Sequence, residues 1–223
     1  MALSLSVVTG ANRGIGLALT EQLSKRGGTV IAACRKRSAG LDKLGVEVVA
    51  GVDVTESSGI ETLVRALGDR TVDLLIHNAG ILLWGDSLEA LDVDGIRKQF
   101  EVNALGPLRL TAALRARLQR GSKIAMITSR MGSIEDNSSG GAYGYRMSKA
   151  ALNMAAKSIA EDLRPAGIAV AVLHPGMVRT EMTGTHGQVE PSDSATGLLA
   201  RIDSLTIANS GSFWHQNGQQ LPW

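Results

Sequence analysis

The segment that decides the fold is Thr9-Gly10-Ala11-Asn12-Arg13-Gly14-Ile15-Gly16, near the start of the chain. The apolar run Leu3–Thr9 leads into it and predicts a strand, while Leu17, Leu19 and Leu23 follow at helical spacing. A glycine motif between a strand and a helix predicts a pyrophosphate bound at the helix N-terminus. The spacing is G-x-x-x-G-x-G, and the alternative interpretation is an ordinary glycine-rich turn.

Strands and helices alternate along the rest of the chain, which predicts an α/β fold with a doubly wound parallel sheet of about seven strands and helices on both faces. No linker or repeat divides the sequence, so residues 1–223 are expected to form a single domain. The predicted strands are Ser4–Thr9, Thr29–Cys34, Val46–Gly51, Leu74–His77, Lys123–Ser129, Ile168–Leu173 and Ser212–His215. The predicted helices are Gly14–Lys25, Leu41–Leu44 (brief), Ser57–Leu67, Val93–Leu118, Ala142–Leu163 and Asp193–Ser204.

Composition excludes several classes of protein. The chain has 23 basic and 21 acidic residues and no lysine-rich block, so nucleic acid is not an expected partner. The single cysteine, Cys34, rules out an internal disulfide and fits a reducing compartment. No apolar run is long enough for a membrane span, and the first residues lack the charged-then-apolar layout of a signal peptide, so none is expected. The four histidines lack metal-ligand spacing. We therefore expect a cytoplasmic protein without a metal.

Tyr145 and Lys149 stand four residues apart at the start of a helical run, so they lie on one face of the helix. A nearby ammonium group favours the phenolate, so Lys149 is expected to lower the pKa of Tyr145 and let it exchange a proton near neutral pH. Most isolated pairs of this kind are surface residues. Tyr143 is the rival tyrosine, but the residue four positions beyond it is Met147, which has no charge.

Taken in order, these motifs resemble the short-chain dehydrogenase/reductase family. The glycine motif matches the family's T-G-x-x-x-G-x-G, and His77-Asn78-Ala79-Gly80 is similar to its N-N-A-G motif, with His in place of the first Asn. Pro175-Gly176 followed by Thr180 is similar to the P-G-x-x-x-T segment. The end of the chain, Phe213–Trp223, is similar to the C-factor and sniffer-type carbonyl reductase subgroup. The resemblance covers nearly the whole chain and implies a Rossmann-type fold.

The resemblance also implies a set of functional residues. The implied catalytic residues are Asn103, Ser129, Tyr145 and Lys149. The implied coenzyme-binding residues are Gly10, Asn12, Arg13, Gly14, Ile15, Gly16, Arg35, Asp53, Val54, Asn78, Ala79, Gly80, Tyr145, Lys149, Pro175, Gly176, Val178 and Thr180. In the family, Lys149 would hold the nicotinamide ribose, Thr180 the carboxamide, and Asp53 would contact adenine. Asp53 could equally be a loop acid without a ligand, and Pro175-Gly176 alone could be a simple turn.

Coenzyme choice is indicated at the end of the second predicted strand. Enzymes that prefer NAD place an acid there to bind the ribose 2′-hydroxyl, whereas this chain has Cys34 followed by Arg35-Lys36-Arg37. Arginine binds a 2′-phosphate with charge-assisted hydrogen bonds, and Arg13 could reach the same phosphate. The sequence therefore predicts NADP(H) in preference to NAD(H), with a solvated basic loop as the alternative.

Ser129 and Asn103 have physical arguments of their own. Ser129 follows the fifth predicted strand, where α/β sheets bind ligands, and a donor there would stabilise charge on a carbonyl oxygen. Ser133 is the runner-up, because the segment up to Tyr145 is longer than usual. Pro107 lacks an N–H, so the carbonyl of Asn103 loses its helical partner, and the helix is expected to kink there. In the family this carbonyl holds a relay water; the alternative is a purely architectural kink.

The combined prediction is an NADPH-dependent reductase that converts a ketone or aldehyde to an alcohol, and the reverse. The segment Glu181–Ser192 is short and glycine-rich, which predicts an open, promiscuous site. Its border could include Trp84, Met131, Met177 and Met182, each of which could instead be ordinary packing. The alternative function is a coenzyme-binding signalling protein of C-factor type with little turnover. By analogy, the two long helices are expected to pair into a dimer, or further into a tetramer.

Overall fold

A computed structural model describes residues 5–184 and 186–223 of the chain. Its centre is one sheet of seven parallel strands in the order β3-β2-β1-β4-β5-β6-β7, which confirms the predicted fold class. The strands are β1 Leu5–Thr9, β2 Thr29–Ala33, β3 Glu47–Val49, β4 Leu74–His77, β5 Lys123–Ile127, β6 Ala169–His174 and β7 Phe213–His215. Ser4, which was predicted to begin the first strand, and Thr185, in the predicted lid segment, lie outside the described residues.

Helices cover both faces of the sheet, as the near-continuous apolar strands require. They are α1 Gly14–Lys25, α2 Ala39–Asp42, α3 Ser57–Leu67, α4 Val93–Phe100, α5 Gly106–Ala113, α6 Tyr143–Leu163 and α7 Pro191–Asp203. Helices α3, α5 and α6 bury their apolar side chains against one face, and α1, α2 and α7 against the other. Among the described residues, none of the helices has the length and apolar character needed to cross a bilayer.

The predicted continuous helix Val93–Leu118 is wrong in its middle. Between α4 and α5 lies a π-helical turn, Glu101–Leu105, in which the N–H of Gly106 donates to the carbonyl of Glu101, five residues back. Pro107 explains this, because its ring clashes with the carbonyl four residues earlier and it has no N–H to donate. The expected kink is therefore a π-helical turn, and Asn103 lies at its centre.

The strand order changes direction between β1 and β4, because β1 continues to β2 on one side while β4 lies on the other. Ligands of open α/β sheets bind outside the carboxyl ends of the strands at such a switch point. The glycine-rich turn follows β1, and the segment His77–Gly80 ends β4, so both reach this point. The fifth strand ends two residues earlier than predicted, because Ser129 caps a 3₁₀ turn at Arg130–Gly132.

Candidate active site

The glycine-rich turn is held in a shape that only glycine allows. Gly10 and Gly14 have φ of 63° and 52°, in the left-handed region that side chains disfavour. A Cβ on Gly16 would overlap the carbonyl oxygen of Gly10. The side-chain amide of Asn78 donates to the carbonyl oxygens of Thr9 and Gly10, at 3.0 and 3.1 Å. Asn78 therefore fixes the turn from the end of β4.

The first turn of α1 suits a pyrophosphate. Arg13 is the N-cap residue, and in the described part of the chain neither a side-chain cap nor an acidic residue of the first turn competes for the N–H groups there. Unpaired N–H groups and the positive end of the helix dipole favour an anion. The residues present thus fit the diphosphate of a dinucleotide.

Three further residues of the predicted coenzyme site support the same turn. The carbonyl of Asn12 accepts a hydrogen bond from the Ser38 hydroxyl at 2.7 Å, which ties the turn to the start of α2. Ile15 packs, half-buried, against the core of its face. The N–H of Ala79 donates to the Thr9 hydroxyl at 3.1 Å. These contacts are structural, so any coenzyme contact at these positions would involve the remaining backbone and side-chain groups.

Arg35 and Asp53 face each other at the end of β2, with 4.0 Å between Nη1 and Oδ2. The Asp53 carboxylate accepts hydrogen bonds from the N–H and hydroxyl of Thr55 at 3.0 and 2.8 Å. Partial burial raises the pKa of Asp53, but these bonds and the charge of Arg35 outweigh it, so the pKa is lowered. Asp53 therefore organises its own loop, and Val54 beside it is buried.

Arg13 does not stand free, because its guanidinium forms an ion pair with the carboxylate of Glu181. Glu181 directly follows Thr180, which belongs to the segment after β6. A Cβ on Gly14 would lie 3.2 Å from the Thr180 side chain, so this segment touches the glycine-rich turn. Sequence analysis missed this pair, since 168 residues separate its members.

The segment between β6 and α7 is shaped by turns. Gly176 has φ of 84°, and Val178 is buried with its N-terminal neighbour Met177 exposed. The Ser194 hydroxyl donates to the carbonyl of Pro175 at 2.7 Å, which ties the turn to α7. These contacts place Pro175 and Gly176 at the carboxyl end of β6, on the same edge of the sheet as the glycine-rich turn.

Tyr145, Lys149 and Ser129 are brought together at the N-terminal end of α6. Tyr145 and Lys149 are only 9% and 5% exposed, and the Lys149 ammonium lies 5.7 Å from the centre of the Tyr145 ring. The Ser129 hydroxyl is within hydrogen-bonding reach of the Tyr145 side chain. The Lys149 ammonium donates to the carbonyl of Ile127 at 3.0 Å, and a Cβ on Gly80 would lie 3.6 Å from it.

The pKa of Tyr145 moves in the direction opposite to the one predicted from the sequence. Burial raises the pKa of Tyr145 to about 12, and the hydrogen bond with Ser129 opposes this only in part. Burial also lowers the pKa of Lys149 to about 8. The physical reason is that both groups are removed from water, which disfavours phenolate and ammonium alike. One N–H of the Lys149 ammonium donates to the carbonyl of Ile127.

Asn103 is completely buried, and its side chain joins two elements of the site. Its Oδ1 accepts from the N–H of Ile81 at 2.8 Å, while its Nδ2 donates to the carbonyl of Ile81 at 2.9 Å and to the Ser148 hydroxyl at 3.0 Å. The side chain therefore clamps the loop after β4 to α6. The sequence pattern indicated a role only for the main-chain carbonyl of Asn103, so this role of the side chain was not predicted.

The two candidate serines have different surroundings. The Ser129 hydroxyl accepts from the N–H of Met131 at 3.1 Å and lies beside Tyr145. The Ser133 hydroxyl accepts from the N–H of Asp136 at 3.1 Å, so it stabilises the turn of the extra loop. The structure thus brings Ser129, and not Ser133, to the tyrosine.

Two further residues near the site had no clear sequence signal. The Asp86 carboxylate accepts from the N–H of Gly144 at 2.6 Å and so caps α6, whose N-cap residue, Ala142, has a left-handed φ of 48°. His174, at the end of β6, packs edge-on against His215 with 5.0 Å between ring centres. Burial lowers the pKa of His174 to about 3, and the nearby charges of His215, Arg130 and Lys149 contribute. His174 is therefore neutral near pH 7.

His77, which replaces the first Asn of the N-N-A-G motif, is structural. It is buried, and its Nε2 lies 2.9 Å from the Thr111 hydroxyl on α5. Burial lowers the pKa of His77 to about 3, so the ring is neutral. Within residues 5–184 and 186–223, no group of three or more His, Cys, Asp or Glu side chains could hold a metal ion.

Several large apolar side chains in loops are exposed. Trp84, Met177 and Met182, which were predicted to border the substrate site, are exposed, whereas Met131 is half-buried. Ile134, in the extra loop after Ser129, is 80% exposed and was not singled out in the sequence. Exposed apolar side chains of this kind can contact the apolar part of a ligand.

The site combines a doubly wound parallel sheet with a glycine-rich turn after β1. It also contains a buried cluster of Ser129, Tyr145 and Lys149. These features are typical of a dinucleotide-dependent oxidoreductase of the Rossmann type. Residues 5–190 match the short chain dehydrogenase family. The protein therefore belongs to the short-chain dehydrogenase/reductase family, as the sequence motifs predicted.

The chain is similar to several members of that family. It is 44% identical to 1-hydroxy-2-glutathionyl-2-methyl-3-butene dehydrogenase of Rhodococcus sp. (strain AD45), over 99% of this chain and 100% of that one. It is 46% identical to C-signal of Myxococcus xanthus, over 68% of this chain and 93% of that one. The structure of NADPH-bound carbonyl reductase from chicken fatty liver superposes with a TM-score of 0.91 at 31% identity, over 100% of both chains. These likenesses confirm the predicted subgroup.

Proposed function

We propose that the protein is an NADP(H)-dependent carbonyl reductase that interconverts ketones or aldehydes with alcohols. The observation that carries this proposal is the burial of Tyr145, Ser129 and Lys149 together at the switch point of the sheet, beside the glycine-rich turn. A protein that only binds a nucleotide has no need for a buried phenol at this position. The nicotinamide, when bound, supplies or accepts the hydride.

Tyr145 is the proton donor in the direction of reduction. Its pKa of about 12 keeps the phenol protonated near neutral pH, so the proton is available for the oxygen of the substrate as negative charge develops there. Ser129 orients that oxygen with its hydroxyl and helps to stabilise the charge. The Ser129 oxygen accepts from the N–H of Met131, so its own proton remains for Tyr145 or for the substrate oxygen.

Lys149 and Asn103 position the proton donor and resupply it. With a pKa of about 8, Lys149 is largely an ammonium near neutral pH and can pass a proton toward the tyrosine side of the site. The Asn103 side chain holds the loop after β4 against α6, which keeps the tyrosine and lysine in register. The relay water expected at the Asn103 carbonyl, and coenzyme contacts by the residues of the predicted coenzyme site, belong to the same proposal.

The proposed substrates are carbonyl compounds with a bulky apolar part, accepted with weak discrimination. Support comes from the exposed apolar side chains of Trp84, Met177 and Ile134, which we propose border the site. The Rhodococcus relative is named for an alcohol that bears a glutathionyl group, and the chicken relative is named a carbonyl reductase. A signalling role without turnover, which the likeness to C-signal would suggest, has no particular observation in its favour.

The proposed function is accompanied by proposals for the domain organisation, the oligomeric state and the cellular location of the protein. We propose one domain over residues 1–223, supported by a single sheet that is packed on both faces. We also propose a homodimer, or a tetramer built from it, since Leu108 and Met154 lie exposed on the two helices expected to pair. The buried free thiol of Cys34 is compatible with a cytoplasmic location.

The function is tested by following NADPH absorbance with a panel of ketones, aldehydes and quinones, and NADP⁺ with alcohols that include a glutathione conjugate. We expect kcat/KM with NADPH to exceed that with NADH by about tenfold or more, because arginine binds a 2′-phosphate with charge-assisted bonds. Arg35→Gln should reduce this preference and leave NADH unaffected. Arg37→Gln is the matched control, since its guanidinium bonds Asp42 at 2.9 Å. Binding of NADPH without turnover of any carbonyl compound or alcohol would overturn the reductase proposal.

Replacing the two candidate serines separates a catalytic role from a structural one. Ser129→Ala should lower kcat by about 10- to 1,000-fold, because a donor to the developing oxyanion is lost. Ser133→Ala should leave kcat within a few-fold and lower stability by about 1 kcal/mol, since the N–H of Asp136 loses its acceptor. Steady-state kinetics and thermal melts of both variants measure this. Equal loss of kcat in the two variants would contradict the assignment of Ser129.

A further inference from the structure

Arg13 and Glu181 form an ion pair across the mouth of the proposed coenzyme site. Arg13 is the N-cap residue of α1, and Glu181 begins the 3₁₀ turn Glu181–Thr183 after β6. Their side chains are 63% and 74% exposed, so neither is held by burial. The pair bridges the two segments between which the diphosphate of a dinucleotide would lie.

Hydrogen bonds within the 3₁₀ turn hold Glu181 in place beside Arg13. The Thr183 hydroxyl accepts from the N–H of Thr180 at 3.2 Å and donates to the carbonyl of Val178 at 2.8 Å. These bonds close the 3₁₀ turn from both sides. A Cβ on Gly14 would lie 3.2 Å from the Thr180 side chain, so the turn brings Glu181 next to the glycine-rich turn. The backbone of Glu181 is thus held close to Arg13, and the ion pair joins their side chains.

The charges of this pair bear on coenzyme choice. Arg13 is one of the two cations proposed to bind a ribose 2′-phosphate, and a guanidinium paired with a carboxylate has fewer donors left for a phosphate. The carboxylate also repels the two negative charges of the phosphate at short range. NAD(H) has a hydroxyl at that position and suffers neither effect. The second cation, Arg35, faces Asp53 at the longer distance of 4.0 Å, and that carboxylate is engaged by Thr55.

We infer that Glu181 is a determinant of coenzyme selectivity, competing with the ribose 2′-phosphate for Arg13 and so holding down the affinity for NADP(H) relative to NAD(H). The inference rests on the proposed function, because it assumes that a nicotinamide dinucleotide binds at the glycine-rich turn. It concerns binding of the coenzyme and not the chemical step.

Equilibrium binding tests the inference without any need for a substrate. The dissociation constants of NADPH and NADH are measured by nicotinamide fluorescence for wild type and for Glu181→Gln. We expect the variant to bind NADPH about three- to tenfold more tightly, with NADH unchanged, as removal of an exposed competing charge allows. Glu190→Gln is the matched control, because it removes the carboxylate partner of Arg179 from the same exposed segment. The control should change neither constant.

A double-mutant cycle with Arg13→Gln checks that the effect acts through Arg13. In the Arg13→Gln background, Glu181→Gln should improve NADPH binding by less than it does in wild type, because only the direct repulsion of the phosphate is then removed. Thermal melts confirm that the exposed replacements leave the fold intact. If wild type binds NADPH but Glu181→Gln binds it no more tightly, the inference is wrong and the proposed function stands. If wild type binds neither coenzyme, both fail.

Discussion

Replacement of Tyr145 by phenylalanine is expected to lower kcat for carbonyl reduction by about 10²- to 10⁴-fold, the usual effect of losing a positioned general acid. The fold should survive, since the ring stays buried and the replacement removes the hydroxyl that hydrogen-bonds Ser129 without changing the volume of the side chain much. NADPH binding should change little, because the glycine-rich turn and the first turn of α1 remain as they are. Single-turnover kinetics and coenzyme fluorescence measure the two properties separately.

Tyr143→Phe is the matched control for this experiment. Tyr143 is the first residue of α6 and is half-buried, and the residue four positions on is Met147. It should retain kcat within a few-fold of wild type. If Tyr145→Phe also stayed within a few-fold, or if Tyr143→Phe lost as much as Tyr145→Phe, the identification of the proton donor would be wrong.

Replacement of Lys149 by methionine is expected to lower catalytic turnover and, at the same time, to raise the stability of the fold. The variant should lose most of its turnover, because the ammonium that supplies protons to the tyrosine side of the site is gone. It should also be more stable than wild type near pH 7. Lys149 is almost fully buried with one carbonyl acceptor, at Ile127, and among the described residues no carboxylate pairs with it.

The stability gain follows from the pKa of Lys149. Burial lowers it from 10.5 to about 8 in the folded protein. Below about pH 8 the lysine is charged in both states, and the lowered pKa corresponds to a cost to the folded state of about 3–4 kcal/mol, at about 1.4 kcal/mol for each pH unit. Loss of the hydrogen bond to Ile127 removes about 1 kcal/mol of this gain. The net expectation is a gain of about 2–3 kcal/mol at pH 7.

Urea unfolding at several pH values measures this effect. Between about pH 8 and 10.5 the unfolded wild type binds more protons than the folded one, so wild-type stability should rise with pH. The Lys149→Met variant should lack this rise, and the difference between the two should shrink across the window. Lys157→Met, on the same helix but in an exposed ion pair with Glu161, should change stability little at any pH. A Lys149→Met protein less stable than wild type at pH 7 would refute the argument.

The sheet and the main site residues could be predicted from sequence because their signals are local. The alternation of apolar strands and helices predicts the parallel sheet, and the spacing of the glycines requires a turn that only glycine adopts. Tyr145 and Lys149 lie one helical turn apart, so their proximity follows from helix geometry. Ser129 could be placed at the carboxyl end of its strand by the same reasoning.

Other properties depend on contacts between segments that are distant in the sequence. Such contacts produce no local sequence pattern from which they could be predicted. The pKa of Tyr145 was predicted in the wrong direction, because burial raises it and the hydrogen bond with Ser129 opposes this only in part. Asp86 caps α6 from 58 residues away, and Glu181 reaches Arg13 from 168 residues away. No periodicity or motif spacing in the sequence indicates either contact. The π-helical turn is an intermediate case, since Pro107 predicted a disturbance but not its form.

The π-helical turn at Glu101–Leu105 limits which insertions and deletions this helix can tolerate. Such a turn is equivalent to one residue inserted into an α-helix, and each residue of an α-helix rotates the chain by about 100°. Deleting one residue here would remove the wide turn, although Pro107 would still lack an N–H and leave the helix interrupted. It would swing Asn103 away from Ile81 and Ser148, which its side chain now joins. The chain length of this helix is therefore constrained by the site, and a deletion here is expected to loosen the loop after β4 from α6.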